Sequence, residues 1–153
     1  MDPLETLRAR PSYAQSGADY RALLGEIRDV LSTVEPSILW EEEGARQIST
    51  GSCGDPFSDV SGAWDANYGL GTGRGGISAD RWAEVRDRVV AVATQYGFTQ
   101  VTLDKHDTAV LTLVIAGKWD DTLELRSEGN TRVSVFGGCF LQDDSTGTAT
   151  TSP

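Results

Sequence analysis

The residues best suited to chemistry lie in one stretch, residues 51–76, which shows neither helical nor strand periodicity. It contains three aspartates that could offer oxygen ligands to a calcium ion, namely Asp55, Asp59 and Asp65. Their spacing does not match the alternating ligand positions of an EF-hand loop, and aspartates in such stretches also bond the backbone in turns. We therefore predict no metal and no cofactor, and keep these three residues as the candidate ligands should a metal bind.

Four aromatic residues also fall outside the segments with clear periodicity: Phe57, Trp64, Tyr68 and Trp119. If they are exposed they form a binding surface, because Trp and Tyr dominate binding hot spots. The alternative, which we favour, is that the chain folds back and buries them, since large apolar side chains are mostly found inside.

The sequence indicates no catalytic residue. Its single histidine, His106, lies in a predicted turn between Asp104 and Asp107, where a lone histidine is usually solvated. There is no Gly-x-Ser-x-Gly elbow to hold a nucleophilic serine. The glycine-rich run at 69–76 precedes a helix but lacks the Lys-Ser/Thr pair of a phosphate-binding loop, so we interpret it as a flexible linker.

The two cysteines, Cys53 and Cys139, both lie next to glycines. With one histidine in the chain, a zinc site of cysteine and histidine ligands is almost excluded. No Cys-x-x-Cys pair or neighbouring base indicates a reactive thiol. A structural disulfide is the interpretation we favour, and two unconnected buried cysteines are the alternative.

The charge balance bears on possible partners. The chain has 13 Lys and Arg against 23 Asp and Glu, a formal net charge of −10, which repels phosphate backbones, so we predict no nucleic-acid partner. No run approaches the roughly 18 apolar residues of a spanning helix. The first residues lack the basic and apolar regions of a signal peptide, so we expect either a cytoplasmic protein or a targeting segment upstream of this sequence.

Two amphipathic helices are predicted. The first begins after Ser12, a capping residue, and ends before Pro36. The second begins at Ser78, whose hydroxyl is expected to accept a hydrogen bond from the first turn, and ends at Gly97. Apolar side chains recur on one face of each helix, and those of the second are Trp82, Val85, Val89, Val92 and Tyr96.

Four further segments have strand character and are separated by polar turns: residues 98–103, 109–116, 122–126 and 131–136. Their spacing predicts consecutive antiparallel hairpins, and the alternation in the last two predicts one solvated face. The second segment is apolar at both parities, which indicates a central strand. A short strand at 38–40 and a return strand at 45–50 precede a long loop at 51–76.

This order of elements predicts an α+β fold, with an antiparallel sheet of about four to six strands, two helices packed on one face and one disulfide. We predict a flexible segment at residues 1–10, a single domain at 11–141 and a disordered tail at 142–153. A monomer is expected.

Several segments together resemble a known family, the LppA-type lipoproteins of mycobacteria and related actinobacteria, over roughly residues 10–141. The segments that carry the resemblance are Arg10-Pro11-Ser12-Tyr13, Asp19-Tyr20, the Cys-Gly-x-Pro-Phe-Ser-Asp stretch at 53–59, Trp64, Trp82, Tyr96-Gly97-Phe98 and Gly138-Cys139. The resemblance implies export, lipid attachment at a cysteine upstream of this domain, and a disulfide between Cys53 and Cys139. It implies no activity, because the family has no assigned function.

The expected function is therefore an extracytoplasmic, lipid-anchored domain that is not an enzyme and binds a protein or small-molecule ligand of the cell envelope. It would meet the membrane only through its lipid anchor. The alternative is a secreted hydrolase that uses carboxylates of the 51–76 loop. A pocket with convergent carboxylates or a strongly perturbed pKa would favour the hydrolase.

Overall fold

The computed structural model describes residues 2–107 and 109–142, so the predicted tail lies outside the described residues except for Gln142. The helices are α1 (Pro3–Arg8), α2 (Tyr13–Val34) and α3 (Trp82–Gln95), and a single 3-10 turn (Ala79–Arg81) precedes α3. The strands, in chain order, are β1 (Leu39–Trp40), β2 (Arg46–Ser52), β3 (Ala63–Arg74), β4 (Phe98–His106), β5 (Leu111–Gly117), β6 (Thr122–Glu128), β7 (Asn130–Phe136) and β8 (Phe140–Leu141). Within the described ranges, no helix combines the length and apolar character needed to cross a membrane.

All eight strands belong to one antiparallel sheet, which confirms the predicted α+β class. The path through the sheet is β1-β3-β7-β6-β5-β4, with β2 and β8 also paired to β3. The three predicted hairpins from β4 to β7 are confirmed by their registers. Eight strands rather than four to six arise because β3 collects β1 and β2 on one edge and β7 and β8 on the other.

β3 is the main departure from the sequence prediction, which placed a loop at 51–76. Its core-facing side chains Ala66, Tyr68 and Leu70 are buried, but the glycines between them hide the alternation. Those glycines have a packing role. A Cβ on Gly69 would lie 2.7 Å from Ile48, and one on Gly73 would lie 2.7 Å from the Ile38 side chain. Glycine is therefore needed because side chains of the flanking strands cross close to β3.

α2 and α3 pack on one face of the sheet, as predicted. Ser12 caps α2 by accepting a hydrogen bond from the Gln15 amide at 3.1 Å. α2 buries its predicted stripe against β3, and α3 buries Trp82, Val85, Val89 and Ala93 against the strands β4 and β5. Neither α2 nor α3 covers the opposite face. Helix α1 lies against its β3–β8 end through Leu7, which packs with Ala63 and Leu141, and we call the remainder, along β4–β7, the helix-free face. Along β6 and β7 it presents the even-numbered residues, which alternate with buried odd-numbered ones.

The start of α3 differs from the prediction. Ser78 precedes the 3-10 turn and makes no capping bond with its side chain. Its hydroxyl instead donates to Glu35 at 2.7 Å, and its amide donates to the same carboxylate oxygen at 3.0 Å. Burial opposes the charged form of Glu35, but these two bonds, together with the charge of Arg81 and a hydrogen bond from Ser37, outweigh it and hold the Glu35 pKa below its ordinary value. Gly97 ends α3 with a φ of +87°, as predicted.

The first ten residues are predicted to be flexible, whereas the structure contains helix α1 there. Asp2 caps α1 by accepting from the Glu5 amide at 2.9 Å. Leu7 is buried in a second, smaller core cluster with Phe57, Ala63 and the two cysteines. The contact with this cluster explains why a segment with little apolar content has a defined place.

Candidate functional site

Cys53 and Cys139 form a disulfide, which confirms the favoured interpretation of the two cysteines. Their Cα atoms are 5.8 Å apart and the bond closes a loop across 86 positions. It ties the residue that follows β2 to the residue that precedes β8. Both sulfur-bearing residues are buried in the small core cluster beneath α1.

A cavity of about 280 Å³ opens beside this bond, and we call it the disulfide cleft. Its wall contains four charged residues: Arg10, Asp55, Asp65 and Asp120. The rest of the lining consists of the disulfide itself, Gly54, Pro56, Phe57 and the segment Gly137-Gly138. One cation and three carboxylates therefore meet in one surface depression.

Arg10 is the anchor of the cleft. Its side chain is only 8% exposed, and its guanidinium donates to the backbone carbonyls of Cys139 at 3.1 Å and Trp119 at 3.4 Å. It also forms an ion pair with Asp120 at 3.3 Å. The guanidinium lies 5.1 Å from the centroid of the Phe57 ring and 5.7 Å from the centroid of the Trp119 indole. These contacts satisfy a buried cation and join three separate segments.

The three candidate metal ligands do not share one place. Asp55 and Asp65 line the disulfide cleft, whereas Asp59 lines a separate cavity with Pro3, Pro56 and Val60. The Asp55 carboxylate accepts a hydrogen bond from the Ser58 hydroxyl. Among the residues that the structure describes, no group of three acidic, histidine or cysteine side chains is arranged to hold a metal ion.

Asp65 differs from the other carboxylates of the cleft. Burial raises the pKa of Asp65 above its ordinary value. No hydrogen bond or ion pair to a described residue contributes to this shift. Gly51, its cross-strand partner on β2, leaves room for it, since a Cβ there would lie 3.7 Å from the Asp65 Oδ1. Asp65 is therefore a partly desolvated carboxylate that faces the cleft without a partner of its own.

The four aromatic residues that could have formed a binding surface, and that we expected to be buried, lie in different environments. Phe57 and Tyr68 are buried, Trp119 is partly buried and Trp64 is 40% exposed. Arg10 brings Phe57 and Trp119 together. Tyr68 instead packs in the main core, with its ring 5.6 Å from that of Tyr20. The four residues thus do not share one exposed surface.

The turn after β5 forms one wall of the disulfide cleft. A buried pair, Tyr20 and Asp121, holds this turn in position. The Tyr20 hydroxyl donates to Asp121 at 2.6 Å, and the Trp119 amide donates to the other oxygen of the same carboxylate at 3.2 Å. Burial, and the negative charge of Asp121, raise the pKa of Tyr20 far above its ordinary value. The pair therefore holds the turn that carries Asp120 against α2.

His106 lies outside this site. It belongs to β4, in register with Leu111, and is exposed rather than sitting in a turn. Asp104, predicted to share that turn, also lies in β4 and accepts hydrogen bonds from the Trp82 indole and from Arg86, each at 3.2 Å. The predicted glycine linker at 69–76 is largely the second half of β3.

Sequence reasoning missed Arg10, Asp120 and the Gly137-Gly138 pair as parts of the site. Arg10 had one signal, since it opens the first segment of the family resemblance. Gly138 had the same signal, through Gly138-Cys139, whereas Gly137 had none, because the role of these glycines is a close approach of backbones. A Cβ on Gly138 would collide with the Trp119 carbonyl oxygen, and one on Gly137 would collide with the Ala66 carbonyl oxygen.

The fold and the site define a class: a disulfide-clamped α+β domain whose helices cover one face of an antiparallel sheet and whose charged cleft adjoins the disulfide. The chain belongs to the LppA family, described as a lipoprotein confined to pathogenic Mycobacterium, which it matches over residues 2–143. The family resemblance predicted from the sequence is thereby confirmed.

Two crystal structures share the fold. One is LppA from Mycobacterium tuberculosis, with a TM-score of 0.57, 18% identity, and coverage of 90% of this chain and 82% of that chain. The other is a DUF4853 family protein from Actinomyces odontolyticus, with a TM-score of 0.52, 16% identity, and coverage of 90% and 75% respectively. None of the curated proteins matches the chain.

Proposed function

We propose that this chain is the extracytoplasmic domain of a lipid-anchored protein and that it binds, without transforming it, a cell-envelope ligand in the disulfide cleft. Membership of a lipoprotein family supports the location. The disulfide supports it independently, because such bonds persist in oxidising compartments and are rare in the cytosol.

The observation that carries the proposal is the unpartnered Asp65 carboxylate in the cleft. The Arg10 guanidinium is bound by two backbone carbonyls and by Asp120, so its positive charge is already compensated within the protein. Asp55 and Asp65 remain on the same wall with no cation of the described chain paired to either. Opposite charge is what such carboxylates recognise, so the ligand carries an ammonium or guanidinium group.

The hydrolase remains a second candidate because one observation favours it. Asp55 and Asp65 line one cavity, and the pKa of Asp65 is raised, as is common for a general acid. The binding proposal is better supported, since a carboxylate hydrolase uses two carboxyl groups, whereas Asp55 already accepts a hydrogen bond from Ser58 and Asp120 is paired with Arg10.

The test measures the melting temperature of the oxidised domain with spermidine or cadaverine, against sodium chloride at the same ionic strength. We expect both amines to raise the melting temperature of the wild type, because a ligand that binds the folded state stabilises it. The rise should disappear in Asp65→Asn and persist in Asp59→Asn, a matched change in the same segment but outside the cleft.

An equal rise in the wild type and in Asp65→Asn would contradict the proposal. The second candidate is tested on the same variants with cell-wall glycan and peptide fragments. Cleavage of those fragments by the wild type that Asp65→Asn abolishes would show a hydrolase instead of a binding domain.

A further inference from the structure

The far end of the helix-free face places two arginines directly opposite each other. In the register of β6 and β7, Arg126 pairs with Arg132, and Glu128 pairs with Asn130. Across the sheet, Arg126 also pairs with Thr112 on β5, and Thr112 in turn pairs with Lys105 on β4. Like charges that face each other across antiparallel strands are unfavourable.

Only one member of this arginine pair has an ion-pair partner among the described residues. The Arg126 guanidinium binds Glu128 at 2.9 Å, on its own strand. Arg132 has no carboxylate within 4.0 Å in the part of the chain that the structure describes. The chain has ten more acidic than basic residues, yet the position opposite Arg132 holds a second cation.

These residues also line a groove of about 220 Å³, formed by Arg126, Glu128, Asn130 and Arg132. Asn130 accepts a hydrogen bond from the Gly75 amide through its side-chain oxygen, at 3.4 Å. The two N–H donors of the Asn130 side-chain amide are therefore not used in this hydrogen bond to Gly75. The groove combines two guanidinium forks with an amide donor.

We propose that this groove is a binding site for a phosphate group, carried either by free phosphate or by a lipid headgroup. A guanidinium fork matches two oxygens of a phosphate, and two forks on adjacent strands can share its charge. A bound dianion also removes the repulsion between Arg126 and Arg132. The net charge of −10 argues against polyanions, but a local pair of cations with one engaged carboxylate suits a small oxyanion.

The first test titrates inorganic phosphate at constant ionic strength, with sodium chloride as the balancing salt, and measures the melting temperature. At a tenfold excess over Kd we expect the wild type to gain about 3–6 °C. Arg132→Gln should lose this gain. Without phosphate it should melt at the same temperature as the wild type or higher, because the cross-strand repulsion is gone.

Arg46→Gln is the matched control, because Arg46 is an exposed strand arginine on β2, away from the groove. It should keep the full phosphate gain, as should Asp65→Asn, so the outcome is independent of the cleft. Equal gains in the wild type and Arg132→Gln, or no gain beyond chloride, overturn the proposal.

A vesicle arm identifies the source of the phosphate. Binding to phosphatidylglycerol vesicles that Arg132→Gln weakens, together with the gain in free phosphate, indicates a lipid headgroup. The gain in free phosphate without vesicle binding indicates a free phosphate ion or soluble ester. Vesicle binding without any response to free phosphate also overturns the proposal, because a general basic surface then explains it.

Discussion

The disulfide cleft and the groove lined by Arg126, Glu128, Asn130 and Arg132, which we call the arginine groove, lie at opposite ends of the β6–β7 hairpin. Their charged residues are arranged in opposite ways. In the cleft the cation is buried and fully engaged, and carboxylates face the opening. In the groove the cations face solvent and one carboxylate is engaged. Arg10 can therefore be assigned a structural role, whereas Asp65 and Arg132 have no oppositely charged partner among the residues that the structure describes. The following predictions separate these two uses of charge, starting at the cleft.

Removal of the disulfide should have the largest effect. The bond closes 86 positions, and in the chain-entropy model its loss costs about 4–5 kcal/mol of unfolding free energy. Urea titration of a Cys53→Ser, Cys139→Ser double variant measures this, with chemically reduced wild type as a second route to the same state. A loss below about 1 kcal/mol by both routes would mean that the cleft is held mainly by Arg10 and the glycines.

Arg10→Met should destabilise the cleft end by about 2–4 kcal/mol. The change leaves the carbonyls of Cys139 and Trp119 without their donor and removes the cation from between two rings. Arg8→Met is the control, since Arg8 is the exposed last residue of α1, two positions before Arg10, and its replacement should change the unfolding free energy by less than about 0.5 kcal/mol. Similar losses in both variants would show that Arg10 is not an anchor.

Tyr20→Phe tests the pair that holds the cleft wall. At neutral pH it should cost about 1–2 kcal/mol, because Asp121 loses a buried donor. The folded state keeps the Tyr20 proton to much higher pH than the unfolded chain does, so its contribution is present below about pH 10 and is lost as pH rises further.

The wild type should therefore lose more stability than Tyr20→Phe between about pH 9 and 11. Urea titrations at several pH values measure the difference. Tyr96→Phe and Tyr68→Phe control for the other two tyrosines with a raised pKa: the bond to Glu26 raises the pKa of Tyr96 to about 12, and burial raises the pKa of Tyr68. Parallel pH profiles for the wild type and Tyr20→Phe would contradict the assignment.

The regions of the molecule also differ in how well they can be predicted from the sequence. The helices and the four consecutive strands could be predicted because apolar spacing and turns are local signals. Strand β3 could not be predicted, because its glycines Gly69 and Gly73 are required by close contacts with Ile48 and Ile38, which are remote in sequence. Arg10 is equally hidden, since nothing local shows that a charged side chain near the start of the chain meets Cys139. That Arg126 lies opposite Arg132 can be known only from the register of β6 and β7, which the sequence of one strand does not specify.

The smallest effect that we predict is a gain in stability. Burial raises the pKa of Asp65, so the folded state binds this proton more tightly than the unfolded chain does. The resulting stability is present at acid pH and is lost as pH rises past the folded pKa. At pH 7 the ionised carboxylate is a cost, and Asp65→Asn should therefore stabilise the domain by less than about 1 kcal/mol, because the carboxylate stays partly in water.

The advantage of Asp65→Asn over the wild type should shrink as pH falls towards 3, where the wild-type carboxyl is also neutral. Melting temperatures at pH 3, 5 and 7 measure this, with Asp59→Asn, outside the cleft, as the matched control. A stabilising substitution in the cleft that also abolishes the amine response would mean that the native residue is retained for binding at the expense of stability. If Asp65→Asn instead destabilises the domain at pH 7, the carboxylate has a structural partner and the cleft loses its free charge.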